Sequence, residues 1–148
     1  MEVTVKSFEE LSKEELYEML SIRTEVFVVE QDCAYQEVDY KDQKALHVLG
    51  RDIGKLVAYS RIFKGGDHMQ EASIGRVLVT KGHREKGLGY EIMKASMDAV
   101  KTSFQTDTMA VSAQQYLQKF YNELGFKEIG TPYLEDGIPH IKMIYSEA

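Results

Sequence analysis

Apolar positions along the chain switch between two periods. Val3, Val5 and Phe8 alternate weakly, which predicts an edge strand at the start. Ser12 stands three residues before Glu15, the spacing of a capping box. Leu16, Met19, Leu20, Arg23, Val26 and Phe27 then recur at helical intervals, so a helix runs from about Lys13 into the twenties. Residues 31–44 are polar and without a period, and read as a loop or a short second helix. LHVLGR and KLVAYSRIF follow as two strands, with Gly54 suited to the hairpin turn between them. ASIGRVLVT is a third apolar, β-branched run. Tyr90, Met93, Met97 and Val100 return to helical spacing, in a helix expected to end near Phe104. Thr108–Ala113 reads as a strand, and Gln115–Leu124 as a helix closed by Gly125 at a C-cap position. Two short strands around Asp136-Gly137 complete the tail from Phe126 to Tyr145.

No repeat, linker or low-complexity segment interrupts this order, so residues 1–148 are expected to form one domain. Strands and helices interleaved in this way predict an α/β or α+β fold, a mixed sheet with helices on its faces. A 43% hydrophobic content supplies a core, and the net charge of -6 argues against a general nucleic-acid binder. Cys33 is the only cysteine, so no intrachain disulfide can form, which fits a reducing compartment. MEVTVKSFEE lacks the basic segment and apolar core of a signal peptide. No apolar run reaches the roughly 18 residues of a membrane span. A cytoplasmic protein without membrane or nucleic-acid partners is expected.

HREKGLGYEIM places Gly87 and Gly89 where a strand ending at Val79 gives way to a helix. Glycine there lets successive N–H groups converge, and the first amides of a helix lack internal partners. The junction therefore suits an anion, most often a phosphate. It is not a P-loop, because Leu88 and Gly89 follow Gly87 where Lys and Ser/Thr are needed. It is not a dinucleotide fingerprint, because Ile92 occupies the third glycine position.

RVLVTKGHREKGLGYEIM, with its Arg-x-x-Gly-x-Gly, resembles the acyl-CoA-binding segment of the GNAT superfamily of N-acetyltransferases. The resemblance implies that backbone amides of Arg84, Glu85, Lys86, Gly87, Leu88 and Gly89 hold the pyrophosphate of acetyl-CoA. It also implies that Val77, Leu78 and Val79 contact the pantetheine arm. VSAQQYLQKFYNELGF is similar to the family's next strand–helix–strand, with the Tyr-x-x-x-Gly-Phe pattern at its end; Gln114 stands where the family often has Asn. Tyr121 is then placed near the thioester sulfur, where a phenol O–H can protonate the leaving thiolate or steady it. LSIRTEVFVVEQDCAYQEVDYKDQKALHVLG resembles the ElaA-like branch, extending the likeness over about residues 10–145. The implied fold is a mixed, mostly antiparallel sheet of six to seven strands flanked by about four helices.

The resemblance implies an acyl-CoA-dependent N-acyltransferase that moves an acetyl group from acetyl-CoA to a primary amine by direct attack. The acceptor would be a small molecule or a peptide. A non-catalytic acyl-CoA sensor is the alternative, and a protein-interaction domain with a decayed site a further one. A base must take the amine's proton. Glu30, beside the apolar VFVV, is one candidate, and otherwise a solvated residue at a helix end. His47 and His140 are the others, each alternatively a structural histidine. Arg23 and Arg61 are candidates for a carboxylate on the acceptor, or for ion pairs within the fold. Tyr35 is placed with Glu30, His47 and His140 on the acceptor side. Asp32, Glu37, Asp39 and Asp42 could attract a cationic amine or simply solvate the loop. No clustered Cys and His suggests a metal. A sheet edge can pair or stay free, so monomer and homodimer are both open.

Overall fold

The central apolar runs resolve into strands whose two faces serve two cores. The computed structural model describes residues 1–147. Its strands are β1 (Glu2–Ser7), β2 (Leu46–Asp52), β3 (Lys55–Phe63), β4 (Ala72–Val79), β5 (Thr108–Gln114), β6 (Lys127–Glu135) and β7 (Ile138–Ser146). They form one sheet in the order β1-β2-β3-β4-β5-β7-β6. Val48 and Ala58 point into one core with Ile92, Met93, Met97 and Val100 of α2 (Leu88–Phe104) and Tyr121 of α3 (Gln118–Glu123). Their neighbours Leu49, Leu56 and Tyr59 point into the other, against Met19 of α1 (Lys13–Thr24). A central strand covered on both faces has no polar side, which is why β3 is buried from Leu56 to Phe63.

Among the described residues three α-helices are present, where about four helices were expected. Ser12 caps α1 in a complete capping box with Glu15. Past Thr24 the helix does not continue through Phe27 in α geometry; it widens into a π-helical turn over Glu25–Glu30. The Gln115–Leu124 helix begins as a 3-10 turn over Gln115–Leu117, with α geometry only from Gln118. The tail strands β6 and β7 are nine residues each, longer than predicted.

Two irregularities at β4 shape the molecule. All strand neighbours run antiparallel except β4 and β5, which pair in parallel only at Ala72–Met109 and Ser73–Ala110. Beyond Ser73 no strand among the described residues pairs with that edge of β4, and the sheet opens. On its other edge β4 carries an extra residue: Tyr59 and Arg61 of β3 face Leu78 and Gly75. The bulge leaves Arg76 at φ +50, a left-handed conformation uncommon outside glycine.

The aperiodic segment after the π turn is fixed by buried charge. Arg23, fully buried, donates to Glu37 Oε2 at 2.7 Å and to Asp42 Oδ1 at 2.8 Å. Arg61, 2% exposed, reaches the same Asp42 oxygen at 3.0 Å and Asp39 Oδ2 at 2.9 Å. Arg76 adds a bond to Glu37 Oε2 at 2.8 Å. Three arginines from a helix and two strands thus hold one polar loop against the sheet. Burial works against the Asp39 carboxylate, but hydrogen bonds and charge from Arg61 outweigh it and hold its pKa at about 2.

Arg23→Ala would leave Glu37 and Asp42 buried with one cation fewer. Denaturant unfolding is expected to show a loss of about 3–5 kcal/mol, the cost of breaking a buried pair from one side. A loss within the range of a surface substitution would mean that the network does not hold the loop.

Candidate active site

The gap between β4 and β5 is the mouth of a cleft of about 510 Å³. One wall is the unpaired edge of β4 from Ile74 to Val79, and another is Ser112 and Gln114 on β5. The π turn and the segment after it supply Val26, Phe27, Glu30, Gln31, Cys33 and Tyr35. α3 and the turn before it supply Tyr116, Phe120 and Tyr121, and the β6–β7 hairpin Glu135, Asp136 and His140.

At one end lies the start of α2. Its N-cap is Gly87 at φ +75, and no side chain bonds the first turn, so the amides from Leu88 to Tyr90 have no partner within the helix. The loop before it also turns left-handed at Glu85, φ +69. Gly89 lines the cleft, and a Cβ there would meet only the Phe120 ring, at 3.6 Å. These features fit a phosphate group approaching the backbone. Arg84 folds back over the loop, its Nε donating to Val79 O at 2.9 Å. Its outer nitrogen pairs with Glu30 Oε1 at 2.7 Å, bridging the π turn and the glycine loop. Lys86 is exposed and does not line the cleft.

Tyr121 lines the cleft, 7% exposed, its ring edge-on to Phe120 and Phe126. Burial pushes its phenol up to about 12, with Tyr116 adding to the shift. At the far end, His140 is 6% exposed and stacks on Tyr133. Its Nδ1 is 2.7 Å from Ile138 O, so Nδ1 carries the hydrogen and the neutral ring's lone pair is left on Nε2. Glu135 Oε2 is 3.5 Å from that Nε2. Ser112 Oγ donates to Glu135 Oε1 at 3.3 Å and bonds the Tyr133 hydroxyl. Gln114 Nε2 donates to Gln31 Oε1 at 3.4 Å across the walls.

The structure brings together Val77, Leu78, Val79, Arg84, Gly89, Gln114, Tyr121, Glu30, Tyr35 and His140 on this one cleft. Of the predicted loop residues, Glu85, Lys86, Gly87 and Leu88 do not line it, and His47, Arg23 and Arg61 lie buried away from it. His47 is fully buried, between the Tyr59 hydroxyl at 2.6 Å and Asp42 O at 3.0 Å, with both ring nitrogens engaged; burial lowers its pKa. Arg23 and Arg61 are spent on carboxylates of the fold and offer nothing to an acceptor. Glu37, Asp39 and Asp42 are likewise neutralised by these arginines and Arg76. Sequence reasoning missed Arg76, Ser112, Glu135 and Asp136. No local pattern marks the bulge, and Asp136 read only as a turn residue.

The chain matches the acetyltransferase (GNAT) domain over residues 7–147. A UPF0039 protein of Schizosaccharomyces pombe is 43% identical over 145 residues, 97% of this chain and 95% of that protein. Protein ElaA of Escherichia coli is 40% identical over 136 residues, 90% of this chain and 89% of that protein. The crystal structure of ElaA superimposes with a TM-score of 0.91, covering 98% of this chain and 99% of that one. An acyl-CoA N-acyltransferase from Pseudomonas aeruginosa, 39% identical with the same coverage, gives a TM-score of 0.92. The chain belongs to the GNAT family, and within it to the ElaA-like branch. Family and fold are those of acyltransferases that take acyl-CoA, and the glycine loop and open β4 edge agree with such a ligand. Among the described residues no group of His, Cys, Asp and Glu could hold a metal, and no helix is long and apolar enough to cross a membrane.

The Glu30–Arg84 pair makes a prediction. A phosphate at the glycine loop competes with Glu30 for Arg84, so Glu30→Gln should tighten CoA binding by about two- to fivefold, the worth of one exposed pair. Calorimetric titration with CoA checks it; an unchanged or weaker affinity would mean that Arg84 does not meet the phosphates.

Proposed function

We propose that the protein transfers an acetyl group from acetyl-CoA to a primary amine by direct attack, without an acyl-enzyme intermediate. The observation that carries this reading is the position of Tyr121. It is a buried phenol lining a cleft whose walls also carry Gly89 at the start of α2 and His140. Acyl-CoA lies along the unpaired edge of β4 with its pyrophosphate on the amides around Arg84 to Gly89. That edge offers Val77 to Val79 as backbone partners for the pantetheine arm.

A primary amine is protonated at neutral pH, with a reference pKa near 10. His140 Nε2 takes that proton, directly or through water, with the Glu135 carboxylate beside it. The freed nitrogen attacks the thioester carbon; the C–N bond forms and the C–S bond breaks. The amine's second proton leaves to solvent, and the sulfur departs as thiolate. Tyr121 keeps its proton throughout. With its phenol near 12, transfer to a thiolate of reference pKa about 8.5 would run uphill, so its O–H acts as a hydrogen-bond donor to the sulfur. One proton is released overall once the thiolate is protonated by water. Glu30 and Tyr35 line the acceptor side, and Glu30 becomes available to an amine once phosphate draws Arg84 away.

Tyr121→Phe should lower kcat by about 10- to 100-fold, the worth of one hydrogen bond to a charged group, with little change in KM for acetyl-CoA. Because burial raises the phenol, the wild-type rate should show no falling limb from Tyr121 between pH 7 and about 10. Steady-state assay of thiol release checks both. Full activity in the variant would remove Tyr121 from the chemistry; acetyl-CoA binding without turnover in either protein would favour a sensor.

A further inference from the structure

We infer that the acceptor is a small amine carrying a second positive charge, an aliphatic diamine or polyamine, held by Glu135 and Asp136 at the hairpin end of the cleft. The inference rests on the acyl-transfer reading and adds the substrate class.

Charge accounting within the cleft carries it. Its lining contains two cations, Arg76 and Arg84, and both are spent. Arg76 bonds Glu37 at 2.8 Å and lies 3.6 Å from Asp39; Arg84 pairs with Glu30. An acceptor with a carboxylate therefore meets no free positive group. The carboxylates are not matched in this way. Among the described residues no lysine or arginine pairs with Glu135 or Asp136, and Glu135 has only the Ser112 hydroxyl and the His140 ring. Phosphate taking Arg84 would add Glu30 to the unpaired acids. Of the acids of the 31–44 segment, which look in sequence like the amine's lure, Glu37, Asp39 and Asp42 are already paired with buried arginines.

His140 points the same way independently. It is 94% buried on the 6% exposure it retains, lines this end, and its Nε2 makes no hydrogen bond among the described residues. A ring nitrogen left with a lone pair and a carboxylate at 3.5 Å suits a cationic donor bridging the two. Cys33 Sγ donates to Asp136 O at 3.4 Å, joining the segment after the π turn to the hairpin turn.

The test compares three acceptors of equal chain length with acetyl-CoA and the full chain: diaminobutane, butylamine and γ-aminobutanoate. Expected kcat/KM for diaminobutane exceeds that for butylamine by about fivefold or more, the effect of one partly exposed charge pair, with γ-aminobutanoate slowest. Asp136→Asn, tolerated at φ +53 because asparagine accepts that conformation, should cut the diamine's preference over butylamine by about the same factor. A merely structural role would lower all three rates together. Preference for γ-aminobutanoate, or a higher kcat/KM for a blocked lysine peptide, overturns the proposal while leaving acyl transfer intact. If nothing turns over but acetyl-CoA binds, diaminobutane is titrated into the CoA complex: tighter binding than butylamine supports the proposal, and equal binding overturns it. Absence of acetyl-CoA binding overturns both readings.

Discussion

Everything at the candidate site depends on two neighbouring strands that begin together and part. β4 and β5 share two residue pairs and then separate. Backbone groups on a strand edge must find partners, and an open edge inside a sheet is an unpaired row of donors and acceptors. A ligand with amides of its own, such as a pantetheine arm, satisfies that row as a strand would. The bulge at Arg76 turns β4 away from β5, and the left-handed residue costs about 1–3 kcal/mol unless the surroundings hold it. Glu37 holds it, through the bond to the Arg76 guanidinium.

That bond ties the cleft to the buried charge network. Glu37 accepts from Arg23 and Arg76 and also from the Tyr35 hydroxyl, so one carboxylate joins α1, β4 and the cleft wall at Tyr35. A network of this kind adds little net stability, because desolvation offsets most of the attraction. What it fixes is geometry: a polar loop with no hydrophobic period is given a single path across the sheet. His47 and Tyr59 lie inside the same network and belong to the scaffold.

How far these features were legible in the sequence follows from their range. The glycine loop was readable because its reason is local: amides at a helix start and glycines that let them converge. β2 and β3 were readable because a glycine turn separates two short apolar runs. The π turn was not, since VFVV continues a helical pattern and only tertiary packing widens it. The three candidate bases looked alike, because which histidine is walled in depends on pairing far along the chain. His47 lies opposite Arg61 and meets Tyr59, while His140 lies opposite Gln114 at the end of β5 where the sheet has opened. Arginines were ambiguous for the same reason; their partners are 14 to 39 residues away.

The most direct measurement is calorimetric titration of the wild-type protein and of Gly89→Glu with acetyl-CoA, with ATP as a control. The account predicts micromolar-range binding to the wild type, much weaker binding of ATP, and loss of acetyl-CoA binding in the variant, where bulk and negative charge meet the phosphate. A Cβ at this position meets only ordinary contact with Phe120, so the variant is expected to stay folded, which thermal melting verifies. Unchanged affinity in a folded variant would contradict the placement of the pyrophosphate at the start of α2.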